Sequence, residues 1–332
     1  MSLPQPLHAW LSSPAAPSPV KSLVYIASTG YSGSTLLESI LGTNEGCLNL
    51  GEICKLRFWP LCSCGAMVAD CSFWTSLEKQ LQNRPDGAGS RLQDWHVQIK
   101  RSRSGIAKLL HDAFIITGCP GTLEVFKALS PEIRAFSDGS RRALALFETA
   151  AQHTGARVIV DSSKDPVLLK HLYALAPERL RLIHLVRDPR AVAHSFVKNF
   201  ARDGATYGSE DSQQAPTASQ AAQYWRSRNL NIERTAWRIP AHQQLLIRYE
   251  DLCQDREASA SVLSEFLGEE IRIPETLRLR QQHTLAGNPM RLTQDHIEVK
   301  LNQEWTSRLG AQDAAVILQA TGALARRYGY SL

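Results

Sequence analysis

Leu23-Val24-Tyr25-Ile26-Ala27-Ser28-Thr29-Gly30-Tyr31-Ser32-Gly33-Ser34-Thr35-Leu36-Leu37 is the stretch that decides the fold. Residues Leu23–Ala27 form a short apolar run of the kind that makes a strand buried on both faces, and a helical pattern begins at Thr35 and continues to Leu41. The turn between them carries Gly30 and Gly33, which permit tight backbone curvature. Free N–H groups at the start of the following helix converge on one point, where the helix dipole favours an anion. A Gly/Ser turn can also be a plain tight connection. The strand before it, the helix after it and Ser34-Thr35 at the helix start favour a phosphate cradle.

Three further runs repeat the theme: Val158–Val160, Leu182–Val186 and Leu245–Arg248, followed by helical patterns over Val167–Ala176, Ala191–Phe200 and Asp251–Phe266. Alternating strand and helix predicts an α/β fold, an open and mainly parallel sheet flanked by helices, with ligand loops at the carboxyl ends of the strands. Between the first and second units lies an insertion at about 54–150, Cys-rich and then helical in pattern, expected to flank or cap the sheet. The polar stretch 201–219 contains Gly204, Gly208 and Pro216 and is expected to be a mobile loop, either a lid or a solvated connector. Ala314–Arg327 reads as an amphipathic helix that closes the domain. The expected organisation is a flexible arm over 1–20, rich in proline, and a single domain over 21–332.

The chain has 332 residues, with 37 Lys+Arg against 32 Asp+Glu and a formal charge of +5. That charge is too dilute to mark a nucleic-acid track, and no basic run with interleaved aromatics appears. No apolar run reaches the ~20 residues of a membrane span. The first 20 residues lack both a basic and a continuous apolar region, so they do not read as a signal peptide, and a cytoplasmic location is expected. Seven cysteines in so long a chain do not suggest a disulfide scaffold.

The loop departs from a Walker A loop, which requires Gly at 28 and Lys at 34; this chain has Ser28 and Ser34. A γ-phosphoryl group carries up to two negative charges, normally offset by that Lys and Mg²⁺. A sulfuryl group, with one formal charge, needs less.

Tyr25 to Leu37 resembles the 5′-phosphosulfate loop of sulfotransferases that use 3′-phosphoadenosine-5′-phosphosulfate (PAPS). Leu185-Val186-Arg187-Asp188-Pro189-Arg190-Ala191-Val192-Ala193-His194-Ser195 resembles their 3′-phosphate motif. The resemblance implies a P-loop-like sulfotransferase architecture in which Tyr31, Ser32, Gly33, Ser34 and Thr35 hold the 5′ end while Arg187 and Ser195 grip the 3′-phosphate. A guanidinium suits bidentate phosphate contact. The alternative for Arg187-Asp188 is a local ion pair at a strand end.

Asp161-Ser162-Ser163-Lys164-Asp165-Pro166 resembles the Asn-Lys-Asp-Pro element of tyrosylprotein sulfotransferases, and Gly51-Glu52 their base-bearing segment. Gly287-Asn288-Pro289-Met290-Arg291 and Lys300-Leu301-Asn302 before Trp305 are similar to the tail that folds over the nucleotide, implying contacts from Arg291 and Lys300. Many relatives carry Lys or Arg where this chain has Tyr31. The resemblance therefore makes Lys164 the principal cation at the leaving group, with Glu52 as general base.

The implied reaction moves a sulfuryl group from PAPS to a hydroxyl on a small molecule or peptide, leaving PAP (adenosine 3′,5′-bisphosphate) and a sulfate ester, with no metal required. Acceptor identity is carried by the insertion and loops, not by these motifs. Two other readings stand beside it. A P-loop kinase would need ATP and Mg²⁺, and a catalytically silent PAP- or PAPS-binding protein would be consistent with Tyr31. His184 reads as a core residue, and His194 and His283 as weaker alternative bases. Cys62, Cys64 and Cys71 have the makings of a zinc site with Cys54 as a fourth donor, but a disulfide or buried thiols explain them equally; no metal is assigned.

Overall fold

A computed structural model describes residues 20–85, 90–95, 97, 105–207 and 215–332. The expected arm, apart from Val20, lies outside them. Five parallel strands form the central sheet: β1 (Ser22–Ser28), β2 (Cys47–Gly51), β3 (Val158–Asp161), β4 (Leu180–Val186) and β5 (Gln244–Arg248). Their spatial order is β2-β3-β1-β4-β5. All seven residues of β1 are buried because helices cover both faces of the sheet. Leu23, Tyr25 and Ala27 pack on one side with Leu168 and Leu172 of the helix Pro166–Leu175; Val24 and Ile26 pack on the other with Leu37 and Ile40 of the helix Ser34–Gly42. This period-two partition is what a central parallel strand requires.

β1 is flanked by β3 and β4, with Tyr25 opposite Asp161 and Ser28 opposite Leu185. The chain leaves β1 toward one edge and crosses from β3 to β4 toward the other. Diverging connections open a crevice at the carboxyl ends of the strands, where ligands bind in open α/β sheets.

The insertion is helical, with helices Ser72–Gln82, Gly105–Thr117, Leu123–Leu129 and Pro131–Thr154. The longest starts where Ser130 accepts a hydrogen bond from Ile133 N and Pro131 fills the first turn, and it stops at Gly155, φ 75°. Its Leu146, Phe147 and Ala150 join the core on the Tyr25 side.

Four findings differ from the sequence expectation. β2 was not anticipated, because Cys-Leu-Asn-Leu-Gly is short and interrupted by an amide. A hairpin of β6 (Thr276–Arg278) and β7 (His296–Glu298) was not either. The helix expected over 251–266 is two helices, Tyr249–Gln254 and Arg256–Leu267. The break falls at Asp255, whose carboxylate takes up Ala258 N and so competes with helix continuation. The helix Pro189–Tyr207 extends into the stretch expected as loop, no proline interrupting it, and the next begins at Ala218; residues 208–214 lie outside the described residues. Among the described residues, no helix is long and apolar enough to cross a membrane.

Candidate active site

Gly33 caps the helix Ser34–Gly42 in the left-handed region, φ 92°, with no side-chain cap hydrogen bond. The first-turn N–H groups of such a helix have no intrahelical partner. A Cβ at position 33 would lie 2.5 Å from Cδ2 of Tyr249, so both the backbone angle and the packing require glycine. Tyr31 also has positive φ, 65°. Thr29 Oγ1 and Ser32 Oγ share a hydrogen bond of 2.5 Å, and Gly30 N donates to the Tyr224 hydroxyl at 2.9 Å. The Phe196 ring stacks on Tyr224, centroids 4.7 Å apart, and meets Tyr31 at 6.1 Å, forming an aromatic wall beside the loop. Ser34 and Thr35 are buried, and Thr35 Oγ1 accepts from Asn288 N at 3.0 Å.

At the end of β3, Asp165 caps the helix Pro166–Leu175 by accepting from Val167 N and Leu168 N, with Pro166 at its first position. That cap fixes the turn from which Lys164 projects, in the left-handed region at φ 61°. A non-glycine residue held there stores strain of the kind found at functional sites. Lys164 Nζ donates to Glu52 Oε1 at 2.7 Å and to Ser162 O at 3.0 Å, while Lys55 Nζ reaches Glu52 Oε2 at 3.0 Å. Lys164 and Glu52 are 7% and 4% exposed. Burial pushes the Glu52 carboxyl up, but the two ammonium groups outweigh it and hold the group below the usual carboxylate range.

Two buried carboxyls that the sequence reading missed share this pocket. Burial raises Glu38 to about 8, against the opposing pull of Lys164 and the Ser162 hydroxyl. Its Oε2 accepts from Ser162 Oγ, and Oε1 has no hydrogen-bond partner among the described residues. Burial likewise raises Asp161 to about 7, although Ser163 N and Oγ donate to it at 2.9 and 2.6 Å. Glu38 is therefore largely neutral at pH 7. Glu52 is held between Lys164 and Lys55, one on each carboxylate oxygen.

Arg187, at the carboxyl end of β4, donates to Tyr31 O at 3.0 Å and to Asn302 O at 2.9 Å. Its guanidinium lies 4.4 Å from the centroid of the Tyr249 ring, and its buried Nε has no hydrogen-bond partner among the described residues. Asp188 pairs with Arg190 at 2.6 Å, and among the described residues no ion pair joins it to Arg187. Tyr249, also missed from sequence, packs under Gly33, and its hydroxyl lies 3.2 Å from both Lys300 O and Asn302 N. It joins the loop, Arg187 and the tail.

Ser195 is half-buried in the helix Pro189–Tyr207. Arg291 is 1% exposed and donates to Thr284 O and Leu61 O at 2.9 and 3.2 Å, a strut between two backbone segments. The Lys300 ammonium pairs with Glu298 at 2.5 Å on the surface, and its backbone carbonyl meets the Tyr249 hydroxyl. His184 is a core residue, hydrogen-bonded to Asn229 at 2.9 Å.

Cys62, Cys64 and Cys71 converge with His283, not with Cys54: the four donor atoms lie within 4.8 Å of one another. Cys54 instead approaches Ser163, its N–H donating to Ser163 Oγ at 3.1 Å.

The profile of the sulfotransferase family matches residues 24–272. No curated protein matches the chain. Among solved structures, the sulfotransferase domain from the curacin biosynthetic pathway aligns with 21% identity and TM-score 0.53, covering 94% of this chain and 99% of that one. The sulfotransferase domain of the Synechococcus PCC 7002 olefin synthase aligns with 21% identity and TM-score 0.49, covering 94% of this chain and 96% of that one. A sulfotransferase from Alicyclobacillus acidocaldarius aligns with 12% identity and TM-score 0.41, covering 94% and 100%. The first of these shares the fold, and the profile takes in the phosphate loop, Glu52, Lys164 and Arg187. This chain belongs to the sulfotransferase family.

Proposed function

We propose that the protein transfers the sulfuryl group of PAPS to an acceptor hydroxyl. The observation that carries this reading is the buried Lys164–Glu52 pair beside a phosphate loop to which Arg187 is tied. The acceptor oxygen forms a bond to sulfur as the bond from sulfur to the 5′-phosphate oxygen breaks, and the acceptor proton passes to Glu52. Lys164 stabilises charge building on the leaving oxygen, together with the N–H groups of residues 32–35. When Lys164 turns toward that oxygen, Glu52 loses its nearest cation; burial then raises its proton affinity, so donor binding and activation of the base are coupled. Arg187 and Ser195 hold the 3′-phosphate. Exchange of the Tyr31 and Asn302 carbonyls for phosphate oxygens would engage the guanidinium more strongly, since charged partners roughly double a hydrogen bond.

The test is transfer from sulfur-labelled PAPS to a panel of phenols, sugars, alcohols and tyrosine peptides. A labelled sulfate ester with equimolar PAP is the expected result. Tight PAP binding with no transfer to any acceptor class would mark a silent binder, and labelled phosphate transfer from ATP a kinase.

A further inference from the structure

We propose that Cys62, Cys64, Cys71 and His283 form a structural zinc site that clamps the loop after Glu52 to the segment 282–285. The spacing carries the proposal. Cys62 Sγ and Cys64 Sγ lie 3.8 and 3.7 Å from Cys71 Sγ, and His283 Nδ1 lies 3.2 Å from Cys71 Sγ and 3.8 Å from Cys62 Sγ. A tetrahedral zinc with bonds of about 2.3 Å to sulfur and about 2.0 Å to nitrogen sets S···S edges near ~3.8 Å and S···N edges near ~3.5 Å. A disulfide would need about 2.05 Å, and these cysteines are free thiols.

The arrangement is built, not incidental. Ser63, between two of the thiols, donates its N–H to Thr284 O at 3.1 Å and its hydroxyl to Gln282 O, while Thr284 N returns a hydrogen bond to Ser63 Oγ at 2.9 Å. These bonds bracket His283 on both sides and bring it to thiols more than 200 residues away in sequence, the separation from Cys71 being 212. The Phe73 ring lies parallel to the imidazole, centroids 5.1 Å apart and 7° between planes, and fixes its orientation. Ligation through Nδ1 leaves the imidazole proton on Nε2.

Three thiolates and one imidazole are borderline-soft donors in the tetrahedral set that zinc takes in closed, structural sites. Binding displaces three thiol protons. The consequence for the site is mechanical. Leu285 pairs with both Cys62 and Gly51, and Glu52 N donates to Leu285 O at 3.0 Å, so the clamped segment is the one that carries the backbone of Glu52. The four donors leave no open position, so the metal takes no part in sulfuryl transfer.

The experiment needs no activity and is therefore independent of the donor assignment. Full-length protein purified from zinc-supplemented cells is assayed by elemental analysis and X-ray absorption. One zinc per chain is expected, coordinated by three sulfurs and one nitrogen, and the metal should be lost in Cys64→Ser and His283→Ala but kept in Cys54→Ser and Cys119→Ser. Where a variant fails to fold, wild-type protein stripped by chelator and refilled with Co²⁺ should show thiolate charge-transfer and tetrahedral ligand-field bands. Wild-type protein that takes up no zinc and leaves the three thiols reactive would overturn the proposal. So would a Cys62–Cys71 disulfide, or iron with acid-labile sulfide in place of zinc.

Discussion

Replacing Lys164 with alanine is expected to lower kcat by ~100- to 1,000-fold, the usual loss when one donor to a developing charge is removed. Glu52→Gln should cost about 100- to 10,000-fold, and the double variant little more than the worse single one, because the two groups act as a unit. PAP affinity should change far less than turnover in either. The Lys164 variant also makes a pH prediction. In the wild type, burial of Glu52 is outweighed by Lys164 and Lys55, and its proton affinity is low. Without Lys164 burial gains the upper hand, so the acid limb of kcat/KM should move to higher pH. The same pair acts on stability. A carboxylate held below its unfolded value stabilises the fold above that value, and the contribution fades as pH falls through the folded one. Lys164→Ala should therefore melt lower at neutral pH, and that deficit should narrow in acid. Unchanged turnover in both single variants would remove the pair from the chemistry.

Arg187→Ala should abolish most of the rise in melting temperature that PAP gives the wild type without added metal. Truncating one partner of a buried charged contact costs about 2 kcal/mol or more, roughly a 30-fold loss of affinity. Arg187→Lys should recover only part of it, since an ammonium cannot offer two parallel N–H groups to a phosphate. Its two terminal nitrogens rest on the carbonyls of Tyr31 and Asn302, and its Nε has no hydrogen-bond partner among the described residues. Equal stabilisation of variant and wild type by PAP would remove Arg187 from the nucleotide site.

What the sequence revealed follows from what is local in the physics. β1, β3, β4 and β5 were readable because each is a compact apolar run followed by a helical pattern, and Gly30 and Gly33 because turn chemistry needs few neighbours. β2 was not, since Asn49 breaks its apolar pattern; in the fold that amide is buried and bonded to Gln282 at 2.9 Å, a contact 233 residues distant. Glu38 reads as one polar residue in an ordinary helix, and only the close approach of 161–164 and Gly287 makes it a buried acid. Tyr249 sits just after a predicted strand, a place where ligand loops begin, and that signal was available. Arg291 and Lys300 were expected from the family resemblance alone. In the fold Arg291 meets the Thr284 and Leu61 carbonyls and Lys300 meets Glu298, and the contact with Leu61 depends on long-range folding that no single segment reveals. His283 could not be matched to the cysteines from spacing, because the hydrogen bonds that deliver it run through Ser63 and Thr284.

The most direct measurement is a crystal structure of the wild-type protein with PAP. The 5′-phosphate should rest on the N–H groups of residues 32–35 within reach of Lys164, and the 3′-phosphate on Arg187. A nucleotide bound elsewhere, with the turn at 30–35 empty, would contradict the account.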